Sequence, residues 1–409
     1  METDDFVYLA YYDAERWLTI SRVNKCFGKI EKVRLPSRFL GWDSHNFIAL
    51  ALDDDGLLHV SGNMHASQLV YARMARRDDL ASLGRLQTMV GREEERATYP
   101  NFFRFPDGSL GYSYRFGSSG DGTEIVNRFE AGHWIRWLDQ PLFAPAHPNR
   151  PVNAYHTGFV RGNDGFFHVA WVWRENFRVE TNFHVAYARS RDLKSWQDSR
   201  GKALLLPITP QNAEVVDAVP KGSGLFNNVR LGFDGRGKVV ISYLKFDARG
   251  FSQLFHARRE ERAWQIAQSS NWTYRWDPRG GGTIQREITF SGVEVRGSDL
   301  FERVSQPEIG NAVLKYEPNT LKEVAQVKEE RILAPVSLRQ SSVPGGMLNR
   351  RLLRRADGHI SERLAISWLS LPPDNRDMAR ECASVGGSCH FVSELLLLSL
   401  PARTTKFRK

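Results

Sequence analysis

The feature that most constrains the fold is a short unit that recurs along the chain, an Asp-Gly pair followed by an apolar segment. Copies lie at Asp55-Gly56, Asp107-Gly108, Asp164-Gly165 and Asp357-Gly358, with a looser copy from Asp234 to Gly237. Asp-Gly pairs favour the positive φ angles of tight hairpin turns. The first three copies lie 52 and 57 residues apart, a spacing typical of one four-stranded propeller blade.

At that period the 409 residues accommodate about seven units. We therefore predict an all-β protein, a seven-bladed β-propeller that forms a single domain over residues 1–409. The alternative is an irregular β-sandwich with frequent Asp-Gly hairpins. We expect at most one short helix, around Leu80 to Val90. The predicted strands are rich in β-branched and aromatic residues: Phe6–Tyr12, Leu57–Ser61, Gly111–Arg115, Phe166–Arg174, Lys238–Lys245, Arg363–Leu371 and Glu394–Leu400.

A further blade signature lies in the segment Ser190-Arg-Asp192-Leu-Lys-Ser-Trp196. It resembles the Asp-box hairpin, S-x-D-x-x-x-W, of sialidase-like propellers. In that hairpin the aspartate caps the turn and the tryptophan packs beneath it. We interpret the segment as structural, not catalytic.

The chain carries an excess of positive charge, 56 Lys and Arg against 47 Asp and Glu, with a net charge of +9 and a pI near 9.5. Such an excess favours a polyanionic partner. The basic residues are scattered and match no nucleic-acid recognition module, and the apolar run Leu395–Leu400 is too short to span a bilayer. The charge by itself fits nucleic acid, an anionic membrane surface or an acidic polysaccharide and does not choose between them. Our prediction is an acidic polysaccharide as partner, no nucleic acid, no membrane, and a monomer.

The cysteines are three in number, Cys26, Cys382 and Cys389, too few for a disulfide framework. Cys382, Cys389 and His390 match no common zinc-ligand spacing. We expect a loop with two thiols or one local disulfide there, and no metal site.

Two histidines lie in unusual surroundings on either side of one predicted hairpin. His45 lies in Gly-Trp-Asp-Ser-His-Asn, and His65 ends Ser-Gly-Asn-Met-His. The strand that follows Asp55-Gly56 separates them, so both can reach the same end of one blade. A lone histidine is more often packed inside the fold, but two that flank one hairpin favour a shared site.

The same layout recurs in the next units. Tyr99 and Arg115 lie on the two sides of the Asp107-Gly108 turn, with Arg115 at the end of its predicted strand. The segment Asn153-Ala-Tyr155-His156 precedes the next Asp-Gly strand. Because equivalent positions of adjacent blades converge near the central channel, we expect one pocket that contains His45, His65, Tyr99, Arg115, Tyr155 and His156.

A pocket of His, Tyr and Arg with few carboxylates does not suit glycoside hydrolysis, which normally uses a carboxylate pair. Removal of the proton next to a uronate carboxylate needs a cation on that carboxylate, a base and an acid. Arginine binds carboxylates through its planar fork, and His or Tyr can act as base or acid. The set predicts β-elimination at a uronic acid, with Arg on the C6 carboxylate and His or Tyr at the C5 proton and at the leaving oxygen.

These residues resemble those of a known group. The segments Asp-Ser-His45-Asn and Gly-Asn-Met-His65, with the opening Tyr8-Leu-Ala-Tyr-Tyr-Asp13 and Leu18-Thr-Ile, resemble the BNR-4-type propeller lyases, which include ulvan lyases and rhamnose–glucuronate lyases. The resemblance covers nearly the whole chain and is strongest over residues 6–175. It implies the catalytic residues His45, His65, Tyr99 and Arg115, with Tyr155 as a fifth match. We also predict that Asn46, Tyr155, His156 and Arg174 bind the substrate.

The resemblance also implies a substrate with glucuronate or iduronate, next to rhamnose, and no cofactor for catalysis. Some members of the group carry structural metals, for which this sequence offers no support. Members are usually secreted, whereas the sequence opens Met-Glu-Thr-Asp-Asp, without the basic start and apolar run of a signal peptide. The sequence therefore leaves the location undetermined.

Two alternatives stay open. A sialidase is favoured by the Asp-box and by Phe103-Arg104-Phe105-Pro106, which is similar to an F-R-I-P motif. That motif should open the propeller, and the arginine triad and Tyr–Glu pair of a sialidase have no counterpart that we can place. A non-catalytic sugar-binding propeller would use aromatics such as Trp171 and Trp173 for stacking, although tryptophans in strands more often belong to the core.

Overall fold

The computed structural model describes residues 1–147, 149–328, 346–371, 376–379 and 393–400. The described residues form thirty β-strands, arranged in seven sheets, and two short 3-10 helices, Leu80–Leu83 and Val179–Thr181. The all-β prediction is confirmed, and the helix expected around residues 80–90 is reduced to a single 3-10 turn. Among these residues no helix has the length and apolar character needed to span a membrane.

The chain divides into two compact units. Unit 1 comprises Met1–Met64, Leu69–Met89 and Arg331–Lys409, and unit 2 comprises His65–Gln68 and Val90–Glu330. Organisation as one domain and closure of the sheets into a propeller stay predictions.

The three sheets of unit 1 each have three antiparallel strands. They are β1 (Phe6–Tyr12), β2 (Trp17–Asn24) and β3 (Ile30–Arg38); β4 (Ile48–Leu52), β5 (Leu58–Gly62) and β7 (Tyr71–Arg73); and β28 (Met347–Arg354), β29 (Ile360–Ser370) and β30 (Leu396–Ser399). Alternate residues of β1 face opposite sides, as the pleat requires. Tyr8 packs with Leu18 and Leu58, whereas Val7 packs with Leu353.

The four sheets of unit 2 follow one another along the chain and are also antiparallel. The first contains β6 (His65–Ser67), β8 (Ala97–Arg104), β9 (Leu110–Ser118), β10 (Asp121–Glu130) and β11 (His133–Arg136). The second contains β12 (Asn153–His156), β13 (Val160–Arg161), β14 (Phe167–Arg174), β15 (Asn182–Ser190), β16 (Trp196–Gln197), β17 (Ala203–Leu204) and β18 (Glu214–Asp217). The third contains β19 (Arg230–Phe233), β20 (Val239–Phe246), β21 (Ser252–Arg259) and β22 (Trp264–Gln268). The fourth contains β23 (Thr289–Phe290), β24 (Glu294–Arg296), β25 (Asp299–Gln306), β26 (Gly310–Tyr316) and β27 (Glu323–Lys328).

The predicted strands correspond to β1, β5, β9, β14, β20, β29 and β30, with ends that differ by a few residues. One detail is corrected. Arg115 does not end its strand but lies inside β9, where it pairs with Thr98 of β8. The strand runs on because the chain turns only at the next hairpin, which connects β9 to β10.

The Asp-Gly turns share one structure. The N–H of Gly56 donates to the Asp53 carbonyl at 3.0 Å, and the N–H of Gly165 donates to the Gly162 carbonyl at 3.2 Å. The two glycines have φ angles of 74° and 78°. The hairpin prediction is confirmed, but the positive φ is confined to the glycine, as in a type I turn followed by a left-handed residue.

The predicted Asp-box hairpin is also a structural element. Asp192 Oδ1 accepts hydrogen bonds from the backbone N–H groups of Lys194 and Ser195, at 2.8 and 2.7 Å. Trp196 is only 3% exposed and packs in the core of the second sheet of unit 2. The cap and the buried ring therefore stabilise this hairpin.

The structure weakens the evidence for the two alternative functions, because the residues cited for them have structural roles. Trp171 and Trp173 are fully buried and pack on Phe143 in the core, so neither ring is available to stack on a sugar. Arg104 is exposed, and its Nη1 donates to the Gly108 carbonyl at 2.8 Å. This arginine therefore stabilises a turn.

Candidate functional site

Each sheet of unit 2 begins with an edge strand that carries or follows a polar residue. His65 lies in β6, Tyr155 lies in β12, Arg230 begins β19, and Arg286 lies three residues before β23. The layout that the sequence predicts for the early units therefore extends through four successive sheets.

Tyr99 and Arg115 form the first pair of the site. The guanidinium carbon of Arg115 lies 4.7 Å from the centroid of the Tyr99 ring. Tyr99 has a φ of 62°, at the point where the pairing of β8 with β9 becomes irregular between Thr98 and Asn101. Positive φ is rare for a bulky residue, and such irregularities redirect side chains from regular strand alternation. Here the irregularity accompanies the placement of the Tyr99 ring over Arg115.

Tyr155 and Arg174 form the second pair. The guanidinium carbon of Arg174 lies 4.3 Å from the Tyr155 ring centroid, and its Nη1 lies 3.3 Å from the Tyr155 hydroxyl. The other Arg174 nitrogens donate to Asn182 at 2.7 Å and to Asn227 at 2.6 Å. The Ser119 hydroxyl lies 2.8 Å from the Tyr155 hydroxyl. Apart from each other, the two members of this pair are held by neutral side chains, Arg174 by two asparagines and Tyr155 by a serine.

The two pairs meet through their tyrosines. The ring centroids of Tyr99 and Tyr155 are 6.3 Å apart, in an edge-to-face arrangement. The structure thus brings together four predicted site residues, Tyr99, Arg115, Tyr155 and Arg174, which we call the tyrosine–arginine cluster.

The two arginines of the cluster are buried charges. Arg115 is 2% exposed and Arg174 is 7% exposed. Within the described part of the chain neither forms a salt bridge, and Arg115 Nε and Nη1 have no hydrogen-bond acceptor. Burial of a charge without a counter-charge is costly, and guanidinium groups bind carboxylates strongly. The cluster is therefore suited to receive an anionic ligand.

The two phenols have different pKa values. Burial and the neighbouring Tyr155 raise the pKa of Tyr99 to about 12, against the opposing effect of Arg115. Burial would also raise the pKa of Tyr155, but the charges of Arg174 and Arg115 and the hydrogen bond with Ser119 outweigh it and lower that pKa from its usual value of 10.0. Tyr155 therefore loses its proton more readily, while Tyr99 keeps its own.

His65 lies one strand away from Tyr99 and two strands away from Arg115 in the same sheet. It pairs with Thr98 of β8, and the N–H of Ala66 donates to Thr98 Oγ1 at 2.7 Å. The same Thr98 oxygen accepts a hydrogen bond from Arg115 Nη2 at 3.1 Å. Thr98 thus connects the strand of His65 with the tyrosine–arginine cluster.

His156 is not brought into the cluster. Its Nε2 lies 3.1 Å from Glu124 Oε1, and its ring stacks on Phe159 at a centroid distance of 5.9 Å. Adjacent residues of a strand point to opposite faces, so Tyr155 points into the cluster while His156 packs on the other side. The predicted binding role of His156 stays a prediction.

His45 and Asn46 belong to unit 1. His45 Nδ1 lies 2.7 Å from Asp43 Oδ1 and 3.4 Å from Asp377 Oδ2. Carboxylates at Nδ1 favour the tautomer that carries its proton there. Asn46 Nδ2 donates to the Asp43 carbonyl at 3.0 Å. The participation of these two residues in a site stays a prediction.

The sequence analysis missed three residues that hold the cluster: Ser119, Asn182 and Asn227. Asn227 lies in Phe-Asn-Asn-Val-Arg just before β19, so the recurring position of polar residues before a first strand could have indicated it. Ser119 and Asn182 carry no such sequence signal. Of the cysteines, Cys26 is an exposed free thiol, and the predicted thiol pair at Cys382 and Cys389 lies outside the described residues.

The succession of antiparallel sheets agrees with a class of proteins built from BNR repeats. The chain matches the model of the BNR repeat-containing family over residues 6–272, and it belongs to that family. Similar curated proteins are the long isoform of ulvan lyase from Pseudoalteromonas sp. (strain PLSV), 22% identical over 262 residues, and the short isoform of ulvan lyase from Alteromonas sp. (strain LOR), 23% identical over 265 residues. Each alignment covers 50% of this chain, but 26% of the long isoform and 50% of the short isoform.

Solved structures show the same fold. The polysaccharide lyase Uly1 aligns with a TM-score of 0.57 and 15% identity, over 98% of this chain and 89% of that protein. A PL25 ulvan lyase bound to -[GlcA(1-4)Rha3S]- aligns with a TM-score of 0.58 and 11% identity, over 98% of this chain and 91% of that protein. At these identities the similarity is one of fold.

Proposed function

We propose that this chain is a polysaccharide lyase that cleaves a glycosidic bond at a uronic acid by β-elimination. The observation that carries the proposal is the pair of buried guanidiniums, Arg115 and Arg174, which have no carboxylate partner among the described residues and lie beside Tyr99 and Tyr155. Similarity to ulvan lyases in sequence and fold supports it. We further propose that the seven sheets are the blades of one propeller.

Arg115 neutralises the uronate carboxylate in this proposal. Its donors at Nε and Nη1 have no acceptor among the described residues and are shielded from solvent. A carboxylate supplies two oxygens for them, and it reaches them when the side chains that cover Arg115 move aside. Removal of the C5 proton shifts negative charge onto the carboxylate, and a preorganised cation stabilises that charge most when it is shielded from water. The burial of Arg115 provides such shielding.

Tyr155 accepts the C5 proton. Its lowered pKa makes the phenolate accessible, and Arg174 and Ser119 hold its oxygen in place. Tyr99 donates a proton to the leaving oxygen, since a pKa of about 12 keeps it protonated at neutral pH. Two groups whose environments separate their pKa values in this way suit the roles of base and acid.

The step is balanced within these groups. The C5–H bond breaks and its proton moves to the Tyr155 oxygen, the electron pair forms the C4–C5 double bond, and the bond from C4 to the leaving oxygen breaks. That oxygen takes the proton of Tyr99. Proton transfer from Tyr155 back to Tyr99, directly or through water, restores the starting state. The sequence leaves His45, His65 and Tyr99 as candidate bases, and the two histidines are the alternative proton acceptors.

The test is incubation with ulvan, gum arabic and a glycosaminoglycan while ultraviolet absorbance is recorded. β-Elimination leaves an unsaturated uronate that absorbs in the ultraviolet, so we expect the absorbance to rise with at least one of these polymers. Arg115→Met serves as the inactive control. If no uronate polymer produces a rise while binding is measurable, the chain is a sugar-binding protein and the proposal is wrong.

A further inference from the structure

We propose that four basic side chains at one end of the second sheet of unit 2 form a second binding site for an acidic polysaccharide, remote from the tyrosine–arginine cluster. These side chains, which we call the basic patch, are those of Arg161, Arg189, Arg191 and Lys194. The inference rests on the proposed function, because its ligand is the polymer that the lyase cleaves. The basic patch holds one stretch of the polymer while the cluster acts on another.

The basic patch follows one row of paired residues across the sheet. The row contains Arg161 of β13, Phe167 of β14, Ser190 of β15 and Trp196 of β16. Arg189 and Arg191 lie on either side of Ser190 in the chain, and Lys194 lies in the Asp-box hairpin that connects β15 to β16. The patch thus extends from β13 to β16, over roughly 14 Å at the usual spacing of paired strands.

This end of the sheet is distant from the cluster. β14 begins at Phe167, next to the basic patch, and ends at Arg174, in the cluster. At about 3.3 Å per residue, these two ends of the strand lie roughly 23 Å apart. A ligand at the basic patch therefore occupies a different site from a ligand at the cluster.

The ring of Phe166 positions two of the cations. The guanidinium carbons of Arg189 and Arg191 lie 4.4 and 4.0 Å from the centroid of this ring, which is only 8% exposed. Gly165 leaves room for Arg191, because a Cβ atom at that glycine would lie 3.2 Å from Arg191 Nη1. A ring attracts a cation and limits its movement, but it carries no net charge. The two guanidiniums are therefore held close together without being neutralised.

The other two cations also lie over aromatic rings. The guanidinium carbon of Arg161 lies 5.7 Å from the Phe167 centroid, and Lys194 Nζ lies 5.3 Å from the centroid of Trp137. Both of these rings pack in the same hydrophobic core, whereas Phe166, the neighbour of Phe167, points to the opposite face of the sheet. The basic patch therefore surrounds the end of the sheet, with two cations on each face.

The cations of the basic patch lack carboxylate partners. Within the described ranges none of the four forms a salt bridge. Arg191 Nη1 donates to the Asp164 carbonyl at 3.3 Å, and Arg189 Nε is buried without a hydrogen-bond acceptor among the described residues. Arg161, Arg191 and Lys194 are exposed, so a ligand can reach them from solvent.

Two carboxylates near the basic patch are engaged in the turns. Asp164 Oδ1 accepts a hydrogen bond from the N–H of Phe166 at 3.1 Å and lies 3.1 Å from His168 Nε2. Asp192 Oδ1 caps the Asp-box turn. The cations outnumber these carboxylates, and an excess of positive charge on one surface attracts a polyanion.

The spread of the charges indicates a polymeric ligand. A single small oxyanion cannot contact cations that are distributed over this width and over both faces of the sheet end. A polymer with an acidic group on recurring sugars can contact several of them at once, and arginine forks bind such groups strongly. Similarity of the chain to ulvan lyases favours a polysaccharide over a nucleic acid.

The first experiment measures kcat and KM on the uronate polymer that is cleaved fastest and on short oligosaccharides prepared from it. The variant combines Arg161→Gln, Arg191→Gln and Lys194→Gln. We expect its KM on the polymer to rise at least about tenfold, because attachment at two sites on one chain of sugars is lost. Its kcat on the polymer, and both constants on oligosaccharides too short to connect the two sites, should stay as in the wild-type protein. An unchanged KM on the polymer overturns the inference, and so does an equal rise on the oligosaccharides.

A matched control removes the same amount of charge outside the basic patch. It combines substitutions at three exposed basic residues of unit 2: Arg236→Gln, Arg262→Gln and Lys322→Gln. We expect its KM on the polymer to equal that of the wild-type protein. If the two triple variants raise KM equally, the effect belongs to the net charge of the protein and the inference is wrong.

The second experiment does not depend on catalysis. Binding of intact ulvan and of double-stranded DNA is measured by calorimetry with Arg115→Met, alone and combined with the three substitutions in the basic patch. Ulvan affinity that falls at least about tenfold in the combined variant supports the second site, even if the wild-type protein cleaves no polymer and the lyase proposal fails. Ulvan affinity that is absent or independent of the basic patch overturns the inference, and so does tighter binding of DNA than of ulvan through the same residues.

Discussion

The Arg174 guanidinium lies over the Tyr155 ring at 4.3 Å and at the same time approaches the Tyr155 hydroxyl to 3.3 Å. A cation in this position stabilises the phenolate more than the phenol. Because the remaining partners of Arg174 are the neutral side chains of Asn182 and Asn227, its charge is not cancelled locally. This relationship makes Tyr155 the more acidic of the two phenols.

The pH dependence of turnover should reveal which group is the base. If the Tyr155 phenolate accepts the proton, log(kcat/KM) rises with pH through the lowered pKa of Tyr155, below 10.0, and falls only when Tyr99 ionises near 12. A histidine base would instead place the rise near the usual imidazole pKa of about 6.5. The test is to measure initial rates at neutral and alkaline pH for the wild-type protein and for Tyr155→Phe. Retention of wild-type turnover by Tyr155→Phe, with loss in His65→Ala, would assign the base to a histidine.

Ser119 should act as a positioning residue for Tyr155. Its hydroxyl lies 2.8 Å from the Tyr155 oxygen and contributes to the lowered pKa, so Ser119→Ala should raise that pKa and move the rising limb of the pH profile to higher pH. Loss of one hydrogen bond should lower kcat at neutral pH by about 3- to 10-fold. The neighbouring Ser118→Ala is the control. A profile that keeps its position in Ser119→Ala would show that the hydroxyl has only a packing role.

Arg115→Met should separate activity from stability. We expect turnover to fall by at least about 100-fold, as for loss of a group that stabilises a developing charge. We also expect thermal unfolding to occur at the same or a higher temperature, because a buried charge without a counter-charge is replaced by an apolar side chain. Activity assays and calorimetric unfolding check both parts.

The control for Arg115→Met is Arg136→Met in β11. The Arg136 side chain is also largely shielded from solvent, but it is paired with Glu93 at 2.9 Å and donates to Asn127 at 2.7 Å. Its removal should lower the free energy of unfolding by about 1–3 kcal/mol and leave turnover in place. Equal destabilisation by the two substitutions would contradict the interpretation of Arg115 as an uncompensated charge.

Protonation of His168 should lower the free energy of unfolding in mildly acidic solution. Burial lowers the pKa of His168 below 6.5, and the ring nitrogens contact Tyr187 at 2.6 Å and Asp164 at 3.1 Å. The unfolded chain therefore binds a proton at higher pH than the folded chain does. The contribution of neutral His168 to the free energy of unfolding is fully present above about pH 6.5. It is lost as the pH falls through the folded pKa, by at most about 1.4 kcal/mol per pH unit.

Urea unfolding between neutral pH and pH 5, followed by tryptophan fluorescence, measures this loss. His168→Gln removes the titrating group, so its free energy of unfolding should change less over the same interval. Carboxylates with lowered pKa values, such as Asp164, contribute only at lower pH. Identical slopes in the two proteins would assign the acid sensitivity to other groups.

Part of the local structure could be predicted from the sequence. The bounds predicted for β1 are those observed, and the glycines at 56, 108, 165, 237 and 358 all take positive φ in equivalent turns. These features depend on neighbouring residues, namely on β-propensity, turn chemistry and the spacing of the repeat. The sequence also indicated Tyr99, Arg115 and Tyr155 as residues of one site, by their position around successive hairpins, and it named Arg174 as a substrate-binding residue.

The support of the site could not be predicted in the same way. Asn227 accepts a hydrogen bond from Arg174, 53 residues away in the sequence, and Ser119 contacts Tyr155, 36 residues away. No local sequence pattern predicts either contact. The sequence predicts both Tyr155 and His156 as pocket residues. The strand pleat directs Tyr155 into the cluster, whereas His156 packs against Glu124 and Phe159.

The sequence by itself therefore determined seven of the thirty described strands, the repeated turns and the types of side chain available for chemistry, because those depend on residues close together along the chain. Only the tertiary structure decided which charges are buried without partners and which phenol is the more acidic. Burial and electrostatic interaction depend on distances between sheets that are remote in sequence. Arg115 shows the difference: its residue type suggested a carboxylate ligand, but the absence of acceptors at Nε and Nη1 among the described residues became visible only when β8 and β9 were in place.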